Sequence, residues 1–229
     1  TTSTIGILIR MPSEHLALAS RPVSLSHRHA GWAEEDPNQW WENVCAIIAE
    51  LLEKSGIKPD EVKAVGVSGM VPAVVLLDAD GELLRPSIQQ SDGRCAQEVD
   101  SLRREFDEAA FTKRTGNGIN QQLVAAKLRW IAHHEPQIFE RITTVFGSYD
   151  YINFRLTGSR NVEQNWALEA GFIDLATGHI AEDLVAAGNI SSDQVPPFAR
   201  SSDIVGEVTP EAARSTGLHA GTPVVAGLA

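Results

Sequence analysis

Residues 36–56 constrain the fold of this chain more than any other stretch, because they hold a complete set of helix instructions. Asp36 has the short carboxylate that accepts from the free N–H groups of a first turn. Pro37 falls at the first helical position, where its missing N–H does no harm, and Gly56 supplies the stop. Between them Trp41, Val44, Cys45, Ile48, Leu51 and Leu52 recur at helical spacing, with Glu42, Asn43, Glu50 and Glu53 mainly off that stripe. Such a helix has to cover an apolar surface. The preceding residues offer one, since 4–10 and 16–25 read as strands joined by the turn-like Met11-Pro12-Ser13-Glu14, a hairpin.

The same alternation continues to the other end. AVGVSG (64–69) reads as a buried strand, AVVLLD (73–78) as another, and the turn at Asp78–Gly81 leads back to LLRPSI (83–88). Helices are expected from about Asp92 to Phe106 and from about Gln122 to His134, where Leu123, Lys127, Trp130 and Ile131 share a face. A strand at 143–147, a helix at 148–157 and a short strand at 171–175 follow. A strand at 204–208, a helix ended by Gly217 and a strand at 222–228 complete the series. Hairpins followed by alternating strands and helices predict an α/β domain, a mixed sheet flanked by helices, with no internal repeat or linker.

Composition removes several classes. An apolar fraction of 43% suits a chain with a sizeable core. No apolar run nears the roughly 20 residues of a membrane-spanning helix. A net charge of −11 argues against nucleic acid, whose phosphates are met by clustered Lys and Arg. Cys45 and Cys95 form no CxxC pair and read as reduced thiols, and the first residues lack signal-peptide features, so a cytoplasmic location is expected. The opening at Thr1 and the closing GTPVVAGLA read as cuts through continuing structure.

Three segments carry groups able to do chemistry. Thr1, Thr2 and Ser3 precede the first strand, where a turn of small hydroxyl residues can hold phosphate or simply be a polar turn. Trp40 and Trp41 in GWAEEDPNQWW (31–41) read as packing residues. Beyond Ser68-Gly69 lie Gln89, Gln90, Ser91, Asp92 and Arg94, whose amide, carboxylate and guanidinium groups suit sugar hydroxyls. The competing reading has Asp92 capping the helix after it and Arg94 exposed. The histidines have no Cys or carboxylate at ligand spacing, so no metal site is expected from them. There is no Walker A, GxSxG or HExxH motif.

Taken in order, these segments resemble the FGGY family of carbohydrate kinases from end to end. GWAEEDPNQWW is similar to that family's Gly-Trp-x-Glu-x-Asp-Pro-x-x-Trp-Trp signature. VGVSGM, LLDADGELLRPSI and Asp92-Gly93-Arg94 follow it, then a Lys-x-x-Trp formed by Lys127 and Trp130. Residues 149–158 (YDYINFRLTG) resemble the Asp-Tyr-(Leu/Ile)-Asn-x-x-Leu-Thr-Gly signature, and 204–229 the stretch that closes the first domain.

The resemblance implies an actin-like, ribonuclease-H-like fold of two similar domains, of which residues 1–229 would be the N-terminal, sugar-binding one. It implies that the first strand precedes Thr1, that Thr1, Thr2 and Ser3 are the end of a phosphate-binding Asp-x-Gly-Thr turn, and that the second domain holds most nucleotide contacts. The catalytic base, an Asp, would come directly after Ala229. The reaction implied is ATP-dependent phosphorylation of a sugar or polyol hydroxyl with Mg2+ as cofactor, xylulose and other pentuloses being the nearest substrates. Residues 1–229 alone would be inactive.

Some positions depart from the family's better-known pockets. Ile5 stands where many members carry Lys, and Met70-Val71 where glycerol kinases place Arg-Glu. Xylulokinases commonly have Gln-Met-His where Met70-Val71-Pro72 stands, and Trp where Gln90 stands. The sugar-side residues implied are therefore Met70, Gln90, Asp92 and Gln122. A tetritol or pentitol substrate, a sugar-sensing protein without catalysis, and a nucleotide-driven structural protein of the actin class are the alternatives. A homodimer is left open.

Overall fold

The structure, a computed structural model, describes residues 2–228. Strands β1 (Ser3–Arg10) and β2 (Glu14–Pro22) form the expected antiparallel hairpin, with Ile7 opposite Leu18 and a shift of register at Leu8/Ile9. Helix α1 (Pro37–Ser55) packs across one face of it. Its limits follow the sequence signals: the Asp36 carboxylate accepts from the Asn38 N–H, and Gly56 ends the helix in left-handed conformation. Ala19 of the hairpin and Ile47 and Leu51 of the helix make a small apolar cluster between them. On the polar side, the Asn43 amide donates to the Pro22 carbonyl at 3.0 Å and Arg21 pairs with Glu50 at 2.6 Å.

The rest of the chain surrounds one larger core. β3 (Val65–Ser68) and β4 (Val75–Leu77) come first, then the helices α2 (Ala96–Glu105), α3 (Glu108–Thr115) and α4 (Val124–His134). β5 (Thr144–Phe146) pairs antiparallel with β4, and α5 (Ser148–Thr157) follows it directly. β6 (Ile204–Glu207), α6 (Pro210–Thr216) and β7 (Pro223–Leu228) complete a mixed three-stranded sheet in the order β6-β7-β3, with β7 antiparallel to β6 and parallel to β3. Gly227 carries the irregularity in that sheet. Its φ is +94°, and a Cβ there would lie 1.8 Å from the Val67 carbonyl oxygen, so only glycine lets the two backbones pass.

Two expectations need correction. The sequence predicts β3 as a buried strand, yet Val65 and Val67 are half-buried and Gly66 and Ser68 exposed. The cause is pairing: among the described residues β3 has a neighbour on one side only, β7, and its other edge borders a groove. Helix α2 begins at Ala96 rather than near Asp92, with Cys95 as an N-cap whose side chain makes no capping bond. Asp92 does not cap it, because its carboxylate is engaged elsewhere. Trp40 and Trp41 pack as expected, 7% and 8% exposed.

Two residues of the 149–158 signature serve this architecture. The Asp150 carboxylate accepts from the Gly147 and Glu163 N–H groups, closing the start of α5. Burial nonetheless pushes that carboxyl up to about 8. One helical turn on, the Asn153 amide donates to the Ala226 carbonyl at 2.7 Å and fastens α5 to β7.

Candidate functional site

The groove beside β3 runs between β1 and β3 and encloses about 520 Å³. Its floor is apolar, from Val44, Ile47 and Ile48 of α1 and Ile152 and Leu156 of α5. One end is polar, where Ser68, Gly69, Met70, Gln89 and Ser148 gather, and Ser3 lines the groove from the β1 side. The Ser148 hydroxyl donates to the Met70 carbonyl at 3.0 Å and holds the chain just past β3 against the start of α5. A larger depression of about 620 Å³ is lined by Glu34, Glu35, Asp36 and Glu42 with Arg28 and Arg85. It contains none of the residues that the sequence singles out for phosphate or sugar, and its carboxylates disfavour an anionic ligand.

Behind the polar end lies a turn held from three sides. The Asp92 N–H donates to the Gln89 carbonyl at 3.2 Å, so Gln90 and Ser91 form its tip. Asp92 is 1% exposed, and one of its carboxylate oxygens accepts from the Ala33 N–H at 2.6 Å. The guanidinium of Arg94 takes both oxygens, at 2.9 and 2.7 Å. These donors outweigh burial and keep the Asp92 carboxyl below its ordinary range. The Gly93 N–H also donates to the Gly31 carbonyl at 2.8 Å, tying the turn to the loop before α1.

Arg94 is the centre of this arrangement, and its side chain is fully buried rather than exposed. Besides Asp92 it meets Glu34 at 2.9 Å. Its guanidinium lies 3.8 Å from the Trp32 ring centre and 4.8 Å from that of Trp130. A planar cation suits this setting, with indole faces on one side and carboxylates on the other. The Asp-Gly-Arg sequence is thus an anchor: Asp92 fixes backbone, and Arg94 fixes Asp92.

Lys127 holds the turn from beneath. Its position on the apolar stripe of α4 is the signal in the sequence, because a lysine there must bury its ammonium. It is 0% exposed, and its Nζ donates to the Gln89 carbonyl at 2.8 Å and the Pro72 carbonyl at 3.4 Å. Burial lowers its pKa to about 8, although the nearby Cys95 and Asp92 act in the opposite sense.

The structure therefore brings Ser3 and Met70 into one cavity with Gln89. Gln89 is 4% exposed, and its amide donates to the Ser87 hydroxyl at 3.0 Å. Gln90 is half-buried at the tip of the turn, and Gln122 is exposed in the loop before α4. Neither they nor Asp92 line the groove. Thr2 is exposed beside it, with its carbonyl accepting from the Val23 N–H. Thr1 and Ala229, the ends of the expected phosphate turn and of the strand before the expected base, lie outside the described residues.

This architecture and its signature segments define a class. Residues 1–229 match the FGGY family of carbohydrate kinases, N-terminal domain, and the chain belongs to that family. It is 34% identical over 227 residues to the xylulose kinase of Escherichia coli K12, covering 99% of this chain and 46% of that protein. The chain thus spans about half the length of the curated relatives it matches. The crystal structure of xylulose kinase from Rhodospirillum rubrum superposes with a TM-score of 0.95 at 57% identity, over 99% of this chain and 47% of that one. Ligand-bound xylulose kinase from Lactobacillus acidophilus gives 0.92 at 25% identity, over 100% and 46%. The fold is the actin-like, ribonuclease-H-like one.

Proposed function

We propose that this chain is the sugar-binding half of a kinase that transfers the γ-phosphoryl group of ATP to a hydroxyl of a pentulose, xylulose being the leading substrate. The observation that carries the reading is that Ser3, Met70 and Gln89 line the same β1–β3 groove, in a member of a carbohydrate kinase family. The xylulose kinases named above support the substrate class. Met70, Gln90 and Gln122 are assigned to the sugar side. Asp92 belongs there through the turn it anchors, and Gln89, with its amide nitrogen committed to Ser87, offers its carbonyl oxygen.

Thr1, Thr2 and Ser3 are assigned to phosphate, where hydroxyl and N–H donors offset the charge that spreads over the transferring group. The base would be an Asp next after Ala229, taking the proton of the attacking hydroxyl. The groove between β1 and β3, with its apolar floor, would receive one further strand supplied by residues before Thr1. A second domain would bring the nucleotide. The lining residues do not make a magnesium cage: Glu35, their one carboxylate, accepts from the Trp40 indole N–H at 2.8 Å. Mg2+, bound with few protein ligands as is usual for it, would arrive on the ATP phosphates.

Coupled ADP release from the full-length polypeptide, measured against pentuloses, hexuloses, tetritols and pentitols, tests the reading. Pentulose-dependent turnover is expected, with Gln90→Ala and Met70→Ala raising KM more than they lower kcat. Best turnover with a tetritol or pentitol would overturn the substrate assignment. Turnover with none of the sugars would overturn the kinase, and so would a residue other than Asp after Ala229. Phosphorylation of any sugar by residues 1–229 alone would overturn the division of labour.

A further inference from the structure

The spacing of His133 and His134 along the chain offers them no acidic partner, but the fold supplies one. Glu98, in the first turn of α2, packs beside the end of α4, and one carboxylate oxygen and one nitrogen from each histidine lie within 4.8 Å of one another. Glu98 is 8% exposed, and its Oε2 has no hydrogen-bond partner. A buried carboxylate oxygen left unpaired is costly, and a cation beside it would offset that cost. Both histidines are exposed and face it from the surface.

The imidazoles are prepared for that cation. His134 Nδ1 lies 3.0 Å from the Trp130 carbonyl, which can only accept, so Nδ1 is the donor and Nε2 is the nitrogen left to bind a metal. The ring is stacked on the Trp130 indole, 4.6 Å between centres and 12° between planes, and this fixes its direction. The His133 ring is 4.5 Å away and tilted by 56°. The C-terminal end of α4 adds the partial negative charge of its free carbonyls.

We propose that Glu98, His133 and His134 form a binding site for a divalent transition-metal ion of the zinc class, clipping α2 to α4. Two imidazoles and one carboxylate are a recurrent zinc donor set, with a fourth position left to water. Imidazole donors exclude magnesium and calcium as the preferred occupants. The site is separate from the groove and needs nothing from the phosphoryl-transfer reading. Its structural consequence is local: the clip joins the helix that starts beside Arg94 to the helix that carries Lys127.

The probe is Co2+, whose visible absorption reports its ligands, added to untagged, chelator-treated protein. One saturable equivalent is expected, with absorption showing nitrogen and oxygen donors, displacement by Zn2+ and a raised Tm. His133→Ala, an exposed substitution that leaves the core alone, should weaken binding by at least the roughly tenfold that loss of even an outer partner costs. Glu98→Gln should do the same, and His219→Ala should change nothing. The absence of saturable binding overturns the proposal, as does binding that survives both His133→Ala and Glu98→Gln. A Tm rise without the Co2+ spectrum also overturns it, because it would mark only a protonatable Glu–His cluster.

Discussion

Replacing Lys127 by Met should change how stability depends on pH, and the structure fixes both sign and size. The ammonium is fully buried on two backbone carbonyls, and its pKa falls from 10.5 to about 8. A base whose folded pKa is lowered binds fewer protons folded than unfolded between those values, so stability rises with pH across that window. Below about 8 the charged form is held in both states and its desolvation cost is present in full; above about 10.5 it is gone. At about 1.4 kcal/mol per unit, the window amounts to roughly 3 kcal/mol.

Raw curves would not show this rise cleanly. Burial raises the Cys95 thiol from 9.0 to about 11, which removes stability as pH climbs through that range. The informative quantity is the difference that Lys127→Met makes in a Cys95→Ala background, because Lys127 itself lowers the Cys95 thiol and that contribution would not cancel. Urea unfolding of both proteins from pH 7.5 to 10.5 should show that difference moving in favour of the lysine by about 3 kcal/mol. Superimposed on it is a constant cost of about 1–3 kcal/mol for the Gln89 carbonyl left without its donor. Parallel stability curves would refute the argument, because they would mean the buried lysine titrates as it does in water.

Arg94→Ala should cost about 3–5 kcal/mol, since it leaves the buried Asp92 without its cation while Glu34 keeps only Arg85; Arg94→Lys should recover little, lacking the planar fork. Equal stability of wild type and Arg94→Lys in chemical denaturation would count against the anchor. Gly6→Ala should destabilise by about 1–3 kcal/mol, because the new Cβ would stand 2.2 Å from Ile47 Cγ2 where the hairpin meets α1; an unchanged Tm would mean the contact relaxes freely. Asp36→Ala should lower stability by about 0.5–2 kcal/mol and leave the spectrum of the core unchanged.

Much of this was readable before any coordinates. The limits of α1 follow directly from Asp36, Pro37 and Gly56 because those signals act locally, and the residues of α5 match the expected span 148–157. Asp92 was ambiguous for a physical reason. A carboxylate before a helical pattern is a cap by local rules, and only the arrival of Ala33 from 59 residues away commits it elsewhere. Exposure of β3 was illegible in the same sense, since VGVS has one composition whether its free edge is covered or not. Lys127 could be flagged from its place on an apolar stripe, but its carbonyl partners at Pro72 and Gln89 depend on the turn. Glu98 and the two histidines are brought together only by packing of α2 on α4.

The turn at Gln89–Asp92 separates two duties that are often fused. Its ends are fastened by Lys127, Ala33, Gly31 and Arg94, while Gln90 and Ser91 at the tip carry no side-chain bond that the fold requires. Residues at the tip can therefore be exchanged with little loss of stability, and the anchor gives each newcomer the same backbone to stand on. A chain built this way is evolvable in a particular sense. On the proposed assignment of Gln90 to the sugar side, preference among sugars would drift by single exchanges at 90 and 91, without passing through unfolded intermediates.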